Sequence, residues 1–269
     1  VKDGDEWLVN GQKVWNTLAH IADFGMLVTR TDPNVPKHRG MTYFALDMKA
    51  DGVDVRPLRQ ITGEAEFNEV YMTDVRVPDA HRIGAEGEGW RAALTTLMNE
   101  RTAIGGGGGG GGGVDLLGGA ITFLLNAYRD EGANHSPAVR DEVMKLVTRS
   151  QVLKLTNMRA AQLAKAGNPG PEGSVGKAVS AILNQDIFEA AVDLQGMKGQ
   201  IDYDYTFRRP GSTDMTGGGI GYAFLRARAN TIEGGTTEVM KNILGEQVLG
   251  LPGEPRVDKE IPWIDVPRG

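Results

Sequence analysis

The sequence predicts an α+β chain, an antiparallel β half-barrel followed by a four-helix bundle. From Asp5 to about Pro78, short apolar runs rich in Val, Trp, Tyr and Phe alternate with turn residues, the pattern of consecutive strands. From about Glu88 the apolar residues recur at helical spacing instead. This change of period sets a partial β-barrel at 1–86, a helical bundle at 87–251 and a proline-containing, extended tail at 252–269.

Within the β part, Glu6-Trp7-Leu8-Val9 and Gln12-Lys13-Val14-Trp15 flank Asn10-Gly11. Both central residues tolerate φ > 0, so the spacing predicts a hairpin. Further strands are expected over 25–30, 41–47, 53–60, 68–72 and 75–77, separated by turns such as Asp32-Pro33-Asn34. In the bundle, Trp90, Ala93, Leu94, Leu97, Met98 and Ile104 share one stripe. Helices are expected to follow over 114–129, 136–166, 174–194 and 223–249. The long polar link 198–219 has the length of a segment that covers a site. The glycine run 105–113 is either a flexible break between helices or a place where another backbone or a ligand comes close.

Composition narrows the function classes. The 269 residues carry a net charge of -6 with no Lys/Arg block, so nucleic-acid binding is not expected. With no cysteine, disulfides, thiolate catalysis and Cys-ligated zinc are excluded. The four histidines, His20, His38, His81 and His135, are not at metal-ligand spacing, and no metal site is expected. No run of about 18 apolar residues occurs, so no membrane-spanning helix is expected. A cytoplasmic location is compatible with all of this. The opening Val1-Lys2-Asp3 has no initiating methionine, and the chain reads as a piece of something longer.

Two fragments could carry chemistry. Glu100, beside Arg101, lies at the edge of the apolar helical stripe. A desolvated carboxylate there would have a raised pKa and suit proton abstraction, although spacing alone favours a surface ion pair. Glu233-Gly234-Gly235-Thr236-Thr237-Glu238 interrupts a helical pattern and restarts it at an N-cap threonine. The new helix start would suit a phosphate or a flavin carbonyl, or it is an ordinary capped break.

Together these fragments resemble the acyl-CoA dehydrogenase family. Asn10-Gly11-Gln12-Lys13-Val14-Trp15-Asn16-Thr17 is similar to its N-G-x-K-x-W-x-T strand pair. Phe67-Asn68-Glu69-Val70 through Val75-Arg76-Val77-Pro78 is similar to its F-x-x-V…V-x-V-P segment. Gly87-Glu88-Gly89-Trp90 running to Glu100-Arg101 resembles its G-x-G…E-R start of the bundle. Glu233-Gly234-Gly235-Thr236 through Gly245-Glu246-Gln247-Val248-Leu249-Gly250 resembles its closing motif. The four stand in the family's order and cover most of the chain.

The resemblance implies FAD-dependent α,β-dehydrogenation of an acyl-CoA thioester to a trans-2-enoyl-CoA, with flavin N5 as hydride acceptor and an electron-transfer flavoprotein as the next acceptor. It implies a dimer or tetramer, homomeric or heteromeric. By position, Trp15, Thr17, Thr236 and Glu238 would contact FAD. Gln195, Gly196 and Gly199 partly match a turn that meets a neighbouring subunit's FAD. Arg101 and Gly234 would line the substrate site.

One branch of the family takes its base from the Y-E-G-T motif. Aligning Gly235-Thr236 with that G-T puts Gly234 at the catalytic position. The isovaleryl and long-chain branch uses the Glu of E-R, here Glu100, which is preferred to the alternative Glu233. Three features of the family are missing: the N-terminal helical domain, the T-E-P-x-A-G-S-D loop, and the R-x-x-F-G segment, where Arg129-Asp130-Glu131-Gly132-Ala133-Asn134 stands instead. This piece alone is therefore not expected to hold FAD tightly. A non-catalytic partner subunit of a heteromer, or an acyl-CoA oxidase or flavin monooxygenase of the same superfamily, are the other readings.

Overall fold

The computed structural model describes residues 1–105, 119–130, 135–166, 172–201, 204–211 and 219–267. The chain divides into two compact units: Val1–Met98 with Thr206–Thr213 and Glu254–Gly269, and Asn99–Tyr205 with Asp214–Gly253.

The first unit holds two antiparallel sheets. In one, β1 (Lys2–Asp3), β2 (Glu6–Thr17), β6 (Phe67–Pro78) and β5 (Val53–Pro57) lie in that order; in the other, β3 (Phe24–Arg30), β4 (Met41–Asp47) and β7 (Arg82–Ile83) do. Strand alternation turns Trp7 and Val9 of β2 and Val75 and Val77 of β6 inward. They meet Leu27, Phe44 and Leu46 of the other sheet in one core, where Trp7 and Phe44 pack edge to face at 5.4 Å. Burying side chains of this size contributes about 1.5–3 kcal/mol each.

The expected hairpin at Asn10-Gly11 does not form. β2 runs unbroken from Glu6 to Thr17, and the tight turn lies earlier, at Gly4-Asp5 between β1 and β2. Nor is β6 two strands. The apparent break at Thr73-Asp74 faces Asn10: pairing passes from Val9↔Val75 to Gly11↔Met72, so two residues of β6 oppose one of β2. This is a β-bulge. Asn10 and Asp74 lock it by reciprocal bonds, Asn10 Nδ2 to Asp74 Oδ1 at 2.9 Å and Asp74 N–H to Asn10 Oδ1 at 2.8 Å. The φ > 0 tolerance that suggested a turn serves the bulge, with Gly11 at φ 149° and Asp74 at φ 51°.

The helices are α1 (Gly89–Gly105), α2 (Ala120–Asp130), α3 (Pro137–Lys165), α4 (Glu172–Leu194), α5 (Ile220–Ala227) and α6 (Thr237–Ile243). Gly89 fixes where α1 starts, because a Cβ there would come within 2.6 Å of the Thr42 backbone. Ile121 and Leu124 of α2, Val143 and Leu146 of α3, and Leu183, Ile187 and Ala191 of α4 form the core of the second unit. Ala223 and Ala227 of α5 close on Phe188 of α4. On α1, Leu94 and Leu97 of the expected apolar stripe stay exposed. No helix among the described residues is long and apolar enough to cross a membrane.

Two expectations are revised. The last helical stretch breaks as expected at Gly234 and Gly235, whose φ of 62° and 98° no continuous helix allows, but it also contains a 3-10 turn over Arg228–Thr231 after α5 and a π-helical turn over Leu244–Val248 after α6. The tail is docked as well as extended. Trp263 N–H donates to Val35 O at 2.9 Å, and the Arg30 guanidinium lies 4.2 Å from the centre of the Trp263 ring. The glycine run lies outside the described residues beyond Gly105.

Candidate active site

In the first unit the expected cofactor residues sit on a second irregularity of β2. Pairing passes from Lys13↔Val70 to Asn16↔Asn68, so Val14 and Trp15 oppose Glu69 alone. Trp15 takes φ 64° and Leu18 φ 52°. A left-handed conformation costs a bulky residue about 1–2 kcal/mol and persists only where its surroundings impose it. Burial of the indole does not offset that cost, since Trp15 is 64% exposed and meets Phe67 edge to face at 6.0 Å. Thr17 is exposed beside it. Between them, Asn16 Oδ1 is buried and has no hydrogen-bond partner among the described residues.

The turn is held from β6 and from Glu66 just before it. Glu66 O accepts from Leu18 N–H at 2.8 Å, and Asn68 Nδ2 donates to Asn16 O at 3.1 Å. Asn68 is fully buried. These holding residues lie far along the chain from the turn and are not visible in local sequence.

In the second unit the Glu233–Glu238 segment is built from neighbours. Arg226 grips Glu233 with both terminal nitrogens, at 3.1 and 2.9 Å, and Asn230 Nδ2 adds a third bond at 2.9 Å. Lys177 Nζ donates to Asn230 O at 2.5 Å; burial pushes its ammonium below the usual lysine range, and the Glu233 charge partly offsets this. The Glu233 carboxylate is thus an acceptor in a local network. Gly234 and Gly235 then turn the chain, and Thr236 caps α6, its Oγ1 accepting from Val239 N–H at 3.2 Å. Glu238 lies exposed in the first turn, where its charge complements the helix dipole. A phosphate there would face a carboxylate, so a neutral acceptor such as a ring carbonyl suits this end better. The next hydroxyl, Thr237 Oγ1, is buried without a partner among the described residues.

Gln195, Gly196 and Gly199 form the turn that ends α4. Gln195 N–H bonds Val192 O at 3.0 Å, and a Cβ at Gly199 would come within 2.5 Å of the same oxygen. The α1 backbone continues through Glu100 and Arg101, whose side chains lie outside the described residues. So do residues 131–134, part of the segment that stands in place of R-x-x-F-G. Local reading passed over Asn16 and Thr237. Each is the immediate sequence neighbour of two residues expected at the flavin.

Residues 1–75 match the family model for the acyl-CoA dehydrogenase middle domain, and residues 87–249 match that for the acyl-CoA dehydrogenase C-terminal domain. Acyl-CoA dehydrogenase FadE34 of Mycobacterium tuberculosis is 37% identical over 91% of this chain, which spans 31% of that protein. Acyl-CoA dehydrogenase IpdE1 of the same organism is 33% identical over 94% of the chain, spanning 62% of its length. The solved ChsE4-ChsE5 complex from M. tuberculosis superposes with a TM-score of 0.75 at 27% identity, covering 94% of this chain and 64% of that one. The chain thus spans less than two thirds of each relative, and it belongs to the acyl-CoA dehydrogenase family.

Proposed function

We propose that the protein carrying this chain performs FAD-dependent α,β-dehydrogenation of an acyl-CoA thioester, with Glu100 as the base. The observation that carries the proposal is the pair of buried oxygens without partners, Asn16 Oδ1 and Thr237 Oγ1. A buried polar atom left unpaired is costly and rare in native folds. Here each lies between two residues that the family resemblance places at a flavin, Trp15 and Thr17 for the first and Thr236 and Glu238 for the second. These residues suit a flavin: an exposed indole and hydroxyl for the ring system, and a capped helix start for a ring carbonyl.

The bound flavin would supply the hydride acceptor for the substrate β-carbon. The Glu100 carboxylate would take the α-proton. The engagement of Glu233 by Arg226 and Asn230 supports this choice, because its carboxylate oxygens are already taken up as acceptors in a network within the chain. Arg101 and Gly234 would line the acyl-CoA side. An electron-transfer flavoprotein is the proposed final acceptor.

Adding an acyl-CoA to the flavin-loaded protein should bleach the flavin absorbance in the wild type and not in Glu100→Gln; undiminished bleaching in the variant refutes the assignment. The likeness to the ChsE4-ChsE5 complex favours one second reading, a subunit that works only beside a different partner. Turnover that appears only on co-expression with such a partner would establish it, and oxygen consumption during turnover would mark an oxidase.

A further inference from the structure

The link that follows α4 returns to the first unit over 206–211, and there it does more than connect. Ala65 N–H donates to Arg208 O at 2.8 Å, and Arg208 N–H donates to Gly63 O at 3.3 Å. The next residue, Arg209, reaches inward: its Nη2 donates to Oδ1 of the fully buried Asn68 at 2.7 Å. A guanidinium has donors only, so the Asn68 atom facing it must be the oxygen. The amide nitrogen is thereby turned toward two acceptors, Asn16 O at 3.1 Å and Glu66 O at 3.0 Å. His20 completes the arrangement. Its Nε2 lies 3.1 Å from Pro210 O, which can only accept, so the tautomer with the proton on Nε2 leaves Nδ1 facing the Asn68 amide at 3.4 Å.

We propose that Arg209 and Asn68 are positioning residues for the flavin-facing turn Trp15–Leu18, with Arg209 setting the amide orientation that holds the Asn16 carbonyl. The flavin-facing part of this statement rests on the proposed function; the positioning part does not. Asn16 lies between the two left-handed residues Trp15 and Leu18, so a fixed Asn16 carbonyl keeps the strained turn from relaxing. Without Arg209 the buried Asn68 Oδ1 loses its charged donor, and the amide loses the anchor that presses its nitrogen against Asn16 O. The turn would then sample other conformations, and Trp15 would lose its fixed contact with Phe67.

The test reads the turn directly in the chain 1–269. The Trp15-specific near-UV circular dichroism is the signal that disappears in Trp15→Phe. Arg209 is exposed, so Arg209→Ala should fold, as far-UV circular dichroism will verify, yet lose most of that signal. Arg209→Lys, which restores a donor, should recover it, and Arg208→Ala, one residue away, should keep it. Retention of the Trp15 signal in Arg209→Ala, or its loss in Arg208→Ala as well, overturns the proposal. A second arm titrates FAD into the flavin-binding protein. If the variant leaves the turn competent about a tenth of the time, the apparent Kd rises about tenfold. Trp15→Phe with Thr17→Ala leaving FAD affinity unchanged would instead refute the flavin-facing reading, while the dichroism still decides the role of Arg209.

Discussion

The two stretches expected to meet the flavin are built in opposite ways. The Trp15–Leu18 turn is held by Asn68, Glu66 and, behind them, Arg209 and His20, partners that stand 48 to 141 positions apart where the side chains meet. The Glu233–Glu238 segment is held by Arg226 and Asn230, seven and three positions away, and by its own cap. The first is a strained conformation imposed by the tertiary fold; in the second the Glu233 carboxylate is met by near neighbours, with Lys177 of α4 steadying Asn230 from 53 positions away. Strain imposed at long range indicates a geometry kept for something other than stability. Held by Arg226 and Asn230, Glu233 reads as an anchor, while the proposal of Glu100 as the base rests on its motif.

That contrast is tested most severely by the two carboxylates. Glu100→Gln should lower kcat by about 10²–10⁴-fold, the usual contribution of a positioned general base, with FAD content and unfolding temperature unchanged. Glu233→Gln should do the reverse. It removes the Glu233 charge from beside Arg226, a tenth exposed. The cost is about 1–3 kcal/mol, read as a lower midpoint in urea, with kcat within a few-fold of wild type. A large kcat loss in Glu233→Gln at unchanged stability would invert the assignment.

The same contrast predicts a separation of stability from binding at Trp15. Trp15→Gly removes a left-handed strain of about 1–2 kcal/mol and gives back about 0.5–1 kcal/mol in backbone entropy. Little buried surface is lost, because the indole is mostly exposed. Stability should therefore hold or rise by up to about 1 kcal/mol while FAD affinity falls. A clear drop in stability would mean that the turn's conformation does not strain Trp15.

What the sequence made legible follows the same divide. Periodicity located β4 to the residue and α3 to within one, because both answer to their own burial pattern. The cap at Thr236 was readable because its partner is three residues on. Asn10-Gly11 misled because a hairpin and a bulge ask for the same φ > 0 residues, and only Asp74, 64 positions away, distinguishes them. The break at Gly234-Gly235 and the restart at Thr236 were visible, but the 3-10 turn over Arg228–Thr231 and the π-helical turn over Leu244–Val248 were not, since periodicity hardly distinguishes them from an α-helix. Arg209 left no local signal at all. Glu100 was placed on its helix by phase and motif, and its role stands on those.

The smallest effects come from two adjacent threonines and should differ in sign. Thr236 Oγ1 is used as the cap of α6. Thr236→Ala removes the acceptor for Val239 N–H at about 1 kcal/mol, and Thr236→Ser should recover it. Thr237 Oγ1 is buried and unpaired among the described residues, on a side chain 5% exposed. Replacing it with a methyl of the same shape removes a desolvated hydroxyl that returns nothing to the fold, so Thr237→Val should be neutral or stabilising by up to about 1 kcal/mol. If the hydroxyl is kept for a flavin, the same variant should weaken FAD binding. Thermal unfolding of the three variants without FAD, followed by flavin titration, separates the cases. A Thr237→Val protein less stable than wild type would mean that the hydroxyl already has a partner within the fold, and one of the two oxygens carrying the proposed function would be withdrawn.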